Sequence, residues 1–279
     1  IADIVNVIGN AICIYYLHMG VVDVAISTLL SRILAGIIII SILTREKYIL
    51  HINKSLKPHF EWNLLKRVLN IGIPYGVENG LFQIGRLLVL SLVSTLGTAA
   101  IAANSIGYSL VTFTILPGFA INLCMTVVIS RCIGAQDYNQ ARYYTKKILA
   151  IVYVSHILIN ALIVLLLPNL LGLYNISEYT FNLTYNLIIW HIIFAIIIWP
   201  IAFTLPGTFR GAGDAKYPMY ISISVMFICR IFLAYVFVWM GMGVFSTWLA
   251  MFIDWFVRAG LYVYRYFNDK WTLFNAIET

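Results

Sequence analysis

The sequence predicts an all-α membrane fold. Three observations carry that reading: an apolar composition, eight apolar runs of spanning length, and a one-sided placement of Lys and Arg. Of the 279 residues, 62% are hydrophobic and 10% charged, and mean hydropathy is +0.91. A soluble domain is about half apolar and roughly a quarter charged. This chain therefore has too little polar surface to cover a water-soluble globule, which excludes most soluble-enzyme readings.

A helix needs about 20 apolar residues to cross the hydrocarbon core. Runs near that length fall at 1–17, 21–43, 68–95, 100–130, 148–167, 183–206, 218–240 and 246–264. Backbone in lipid must satisfy its own hydrogen bonds, so each run reads as a helix. Strands of a membrane barrel would instead alternate over about ten residues. The third and fourth spans contain Pro74 and Pro117, and a proline inside a helix removes a donor and bends it. The first run opens on Ile1 with no basic leader, so it does not read as a signal peptide, and an upstream portion is expected.

The segments 44–67, 131–147, 207–217 and 258–270 hold all but three of the 18 Lys and Arg residues. The alternate connections near 18–22, 96–99, 168–182 and 241–245 hold none. Lys and Arg concentrate on the cytoplasmic side, so the basic segments and the C-terminus are expected there, in a bacterial cytoplasmic membrane. The net charge of +7 then calls for no nucleic acid. Arg32, Arg86 and Arg230 fall within spans. The expected organisation is two closing helices of one lobe at 1–43, a cytoplasmic linker at 44–67, and a six-span lobe at 68–279. Tyr48, Ile49, Leu50, Phe60 and Trp62 suit the linker to an interfacial helix.

The cysteines Cys13, Cys124, Cys132 and Cys229 show no metal-type spacing and lie in or beside apolar runs. They read as small core residues rather than disulfide partners or ligands. Met19-Gly20-Val21 recurs as Met242-Gly243-Val244, each at a short turn before a span that ends in basic residues. If spans one and two match spans seven and eight, the whole protein has two halves of six helices. Paired halves around a midplane cavity are the usual build of a secondary transporter.

From Gly72-Ile73-Pro74-Tyr75-Gly76-Val77-Glu78 onward, the chain resembles the carboxy-terminal lobe of a MATE (multidrug and toxic compound extrusion) transporter. Further marks are Leu96-Gly97 with Ala100-Ile101-Ala102-Ala103, and Ile133-Gly134-Ala135 with Ala141-Arg142. Arg210-Gly211-Ala212-Gly213-Asp214 and Gly243-Val244 with Trp248-Leu249-Ala250 complete the series. The resemblance implies twelve helices, of which eight are seen, and cation-coupled antiport by alternating access. It implies no enzymatic activity and no cofactor beyond a transported H+ or Na+. It also implies a monomer in the lipid bilayer that exports small organic cations or drugs.

An ionisable residue inside a membrane is a functional candidate by default. On the third span, Tyr75, Asn79, Gln83 and Arg86 fall within an arc of about 80°, with Glu78 about 60° to one side, along roughly 16 Å of helix. Such a stripe is expected to face the cavity. Burial disfavours a charged carboxylate, which suits Glu78 to taking up a proton or, when ionised, to holding Na+. The resemblance supports this, because an acidic residue on the seventh family helix is a coupling position in one branch. The sodium-linked branch also carries an aspartate on the helix matching the sixth span, and 183–206 contains neither Asp nor Glu. Proton coupling is therefore preferred.

Arg230 and Asp254 lie equally far from the last hairpin turn, which predicts a structural intramembrane pair. His156 and His191 read as packing residues. Trp190, Phe194, Trp199 and Phe203 could stack on flat cationic cargo, and Asn104 and Asn122 are weaker candidates for the same cavity. Gly211-Ala212-Gly213-Asp214 reads GxGD, but Asp214 falls in a short basic turn and no Tyr-Asp pair supplies a second carboxylate, so an intramembrane protease is a remote alternative. A flippase for lipid-linked sugars would prefer a more cationic cavity, and Glu78 on the same face argues for cationic cargo.

Overall fold

The computed structural model describes residues 2–12, 21–45 and 61–273. Contacts divide the chain into two units, Ile1–Glu61 and Trp62–Thr279. Residues 46–60 of the expected interfacial linker, Met19 and Gly20 of the repeat, and Cys13 lie outside the described residues.

In the first unit, α1 (Ala2–Ile12) packs on α2 (Val21–Leu43). The seam between them is polar. Asn6 Nδ2 donates to Thr28 Oγ1 at 3.1 Å and to Ser31 Oγ at 3.3 Å, and Ser27 Oγ donates to the Asn6 carbonyl at 3.1 Å. Small and hydroxyl-bearing residues let helices approach closely where lipid offers no hydrophobic drive. Gly9 stands against Ser27 for that reason.

The second unit opens with three long helices, α3 (Trp62–Ser94), α4 (Thr98–Gly134) and α5 (Tyr138–Gly172). They contain Pro74, Pro117 and Pro168 respectively. The third span thus begins at Trp62, inside the expected linker. α6 (Glu178–Ile197) continues through a π-helical turn, Pro200–Thr204, into α7 (Pro206–Ala212). α8 (Lys216–Val225) runs through a second π segment, Met226–Phe232, into α9 (Leu233–Trp239). α10 (Phe245–Phe267) and a short 3₁₀ turn, Lys270–Leu273, complete the unit. The Asp137 side chain caps α5 by accepting from the Gln140 N–H, and Ser177 caps α6 by accepting from the Thr180 N–H, which satisfies donors that a helix start leaves free.

Six described helices are long and apolar enough to cross a membrane, against eight expected spans. The first expected span is described only over Ala2–Ile12. The last, α10, has spanning length but carries Asp254, Arg258 and Arg265. The first two of these are buried, so its charge faces protein.

α4 is the hub, packing on α5, α6 and α7. Gly207 and Gly211 lie one turn apart on α7 and face α4. A Cβ at Gly211 would stand 2.8 Å from the Thr126 carbonyl of α4, and one at Gly207 2.8 Å from Asn122 Oδ1. Gly118 of α4 likewise leaves room for His156 and Trp199, whose rings stack at 4.8 Å. Trp199 and Trp248 are buried in the main core. A second core gathers Phe209, Tyr262 and Trp271 at the other end. Gly213 ends α7 at φ 98°, a left-handed conformation that costs glycine little.

Candidate substrate and coupling site

α3 delivers the polar stripe to a cavity of about 350 Å³ within the second unit. Tyr75, Glu78, Asn79, Gln83 and Arg86 all line it, with Trp199, Phe203, Arg210, Arg230 and Arg258 from the facing elements. The placement follows from helical spacing, because residues three and four apart share one face.

Glu78 is not free in this cavity. Arg210 Nη2 donates to its Oε2 at 2.7 Å, and Ser222 Oγ donates to its Oε1 at 2.7 Å. The two charged side chains are 12% and 10% exposed. Arg210 also lies over the Tyr75 ring, 4.6 Å from its centroid. From Ser222 the network continues into the core. Arg258 Nη1 donates to Ser222 Oγ at 3.1 Å, and the Ser222 and Tyr262 hydroxyls lie 2.9 Å apart. Arg258 Nη2 holds Asp254 at 2.9 Å and 3.2 Å.

Arg230 Nη1 lies 3.8 Å from Asp254 Oδ2, so the expected pair is adjacent. The tighter partner of Asp254 is Arg258, one turn along α10. The Arg230 guanidinium also donates to the Tyr108 hydroxyl at 3.4 Å and covers the Phe82 ring at 5.3 Å.

The other candidates separate. Asn79 Nδ2 donates to the Tyr75 carbonyl at 2.8 Å. Gln83 accepts from Arg86 at 3.4 Å. Asn122, His191 and Phe203 line the cavity. Asn104 does not line this cavity; it lines a second one that shares Gln83, Arg86 and Tyr108, and its buried side chain accepts from Trp248 Nε1 at 3.1 Å. Trp190 is 45% exposed and stacks with Phe194; neither lines this cavity. Asp214 does not resemble a catalytic aspartate. Its Oδ2 accepts from Arg265 Nε at 3.1 Å and Nη2 at 2.7 Å, which ties the α7–α8 turn to α10.

Glu78, one of the grounds for expecting cationic cargo, is paired with Arg210. Sequence reasoning missed Arg210, Ser222, Arg258, Tyr108 and Phe82. Arg258 had a visible signal in its spacing from Asp254, since residues four apart on a helix meet. Arg210 had none, because closing the sixth span at residue 206 placed it in a loop.

The described second unit is all-helical and holds a charged cavity with aromatic side chains in its lining. The MatE family model matches residues 74–236, and the chain belongs to that family of membrane transporters. It is similar to an uncharacterized transporter, YisQ, of Bacillus subtilis (strain 168), at 27% identity over 96% of this chain and 59% of the relative. It is also similar to a probable multidrug resistance protein, NorM, of Thermotoga maritima, at 25% identity over 91% of this chain and 54% of that protein. Among solved structures, an outward-facing multidrug resistance MATE transporter of the MOP superfamily matches with a TM-score of 0.85. Its identity is 20%, covering 96% of this chain and 60% of that one. The chain therefore spans less than two thirds of the length of these relatives.

Proposed function

We propose that the whole protein is an alternating-access transporter of small organic compounds, driven by an H+ or Na+ gradient, with Glu78 as the residue where the cation acts. It works as a monomer in the bacterial cytoplasmic membrane, with the C-terminus cytoplasmic. The observation that carries the reading is the Glu78 carboxylate, set in the cavity wall and bound by Arg210 and Ser222. A cation on Glu78 weakens its hold on Arg210, which lies on a different helix, and so changes the relative stability of two packings. A ligand shifts a two-state equilibrium only through such a differential interaction.

H+ is favoured over Na+. Both carboxylate oxygens already accept hydrogen bonds, and a proton needs no further oxygen ligands. The names of the multidrug-resistance relatives support an organic cargo.

The test is efflux of ethidium and of carboxyfluorescein from cells expressing the full-length parent protein, native against Glu78→Gln at matched expression. Efflux of either dye that falls at least tenfold in Glu78→Gln supports the reading. Native efflux that survives the substitution moves coupling away from Glu78, and no native efflux of either dye removes support for an exporter.

A further inference from the structure

We propose that the cavity binds the charged group of an aromatic organic anion, a carboxylate or sulfonate, at Arg86, Tyr108 and Arg230. The inference rests on the reading of this cavity as the cargo site, and it assigns the cargo its charge.

The charge balance points to an anion. Arg86, Arg210, Arg230 and Arg258 line the cavity, against Glu78 in its wall and Asp254 just behind. Four guanidinium groups against two carboxylates leave a surplus of two positive charges. Both carboxylates are already paired with a guanidinium group. Both oxygens of Glu78 accept from Arg210 and Ser222, and both oxygens of Asp254 accept from Arg258. Arg230 is buried, where a charge needs compensation, and an incoming anion can provide it.

The surplus is also localised. Arg210 and Arg258 hold carboxylates at 2.7 Å and 2.9 Å. Arg230 stands 3.8 Å from its nearest carboxylate. Among the described residues no carboxylate pairs with Arg86, whose hydrogen-bond partner is Gln83 at 3.4 Å. These two less committed guanidinium groups meet at one side chain. Arg230 Nη2 donates to the Tyr108 hydroxyl at 3.4 Å, and the Arg86 guanidinium lies 5.9 Å from the Tyr108 ring centroid. Two planar guanidinium groups and a phenol hydroxyl form a donor set suited to a carboxylate or sulfonate, which guanidinium can bind with paired hydrogen bonds. Phe119, which is exposed, and the half-buried Phe203 line the same cavity and offer aromatic surface to a flat ring. An anion held at Arg86 and Arg230 does not compete with a cation for Glu78, so the charge of the cargo sets the sense of coupling.

The experiment is equilibrium binding to the full-length parent protein in phosphatidylcholine nanodiscs, read by fluorescence anisotropy against empty discs. Two xanthene dyes of opposite charge are compared, fluorescein (anionic) and rhodamine 6G (cationic). No ion gradient is present, so a failure of coupling through Glu78 leaves this readout unchanged.

The native protein is expected to bind fluorescein at least tenfold more tightly than rhodamine 6G. Arg86→Gln is expected to weaken fluorescein about tenfold and leave rhodamine 6G unchanged, with Arg86→Lys between. Arg230→Gln should act in the same direction. Arg86 is exposed and outside the Glu78–Asp254 network, so its variant keeps the test valid if Arg230→Gln does not fold. Tighter rhodamine 6G, binding of neither dye, or an Arg86→Gln variant with native fluorescein affinity would overturn the proposal. Competition separates an aromatic anion from a lipid headgroup. Naphthalene-2-sulfonate should displace fluorescein more effectively than short-chain phosphatidylglycerol, and the reverse order would assign the site to lipid and overturn the aromatic assignment.

Discussion

Arg210 and Glu78, 132 residues apart in sequence, form an ion pair at 2.7 Å across the cavity wall. The pair joins α7 to α3, and Ser222 of α8 completes the carboxylate's second oxygen. Three helices thus meet at one titratable group.

Removing one member of that pair should cost more than removing both. Breaking a buried ion pair leaves an uncompensated charge, at about 3–5 kcal/mol. Arg210→Met in the full-length parent should therefore lower thermal stability markedly. The double variant Glu78→Gln with Arg210→Met should recover most of the loss. Thermal unfolding in lipid reads this directly, and simple additivity of the two single losses would show that the pair contributes nothing by itself.

Asp254 should matter more than Arg230 for folding. Asp254 is fully buried and neutralises Arg258 at 2.9 Å, while Arg230 stands 3.8 Å away. Asp254→Asn strands two guanidinium groups, whereas Arg230→Gln leaves the Arg258 pair intact. The predicted order of melting temperatures is native, then Arg230→Gln, then Asp254→Asn, and the reverse order of the two variants would contradict it.

The fold was legible where one residue's neighbours on its own helix decide the outcome. Helical spacing alone put Tyr75, Glu78, Asn79, Gln83 and Arg86 on one face, and all five line the cavity. Spacing failed where a helix does not stop when its apolar run does. The π turn at Pro200–Thr204 carries α6 on into α7 and brings Arg210 to Glu78. A residue counted among the basic loops thus became the partner of the coupling candidate. Trp190 shows the opposite error. Its aromatic character suggested cargo contact, but its rotation about α6 leaves it outside the cavity with 45% exposure. Long-range partners such as Ser222 and Tyr262 left no local pattern to read.

Glycine substitutions should separate close packing from helix propensity. Gly211→Ala drives a methyl against the Thr126 carbonyl, with 2.8 Å available, and should destabilise the α4–α7 contact. At Gly260 of α10, a methyl group would meet no atom within 4 Å, so Gly260→Ala should be neutral or stabilising by up to about 1 kcal/mol. Parallel melting curves check the contrast, and equal effects at the two sites would contradict it.

Cation coupling through Glu78 and its pair with Arg210 is tested in proteoliposomes of the full-length parent, loaded with carboxyfluorescein or ethidium, under an imposed H+ gradient, an imposed Na+ gradient, or none. The H+ gradient should change the rate of dye movement at least tenfold in the native protein. Glu78→Gln should show no gradient response, with slow gradient-independent exchange retained. A Glu78→Gln protein that still responds to the gradient like the native one would rule out coupling through Glu78.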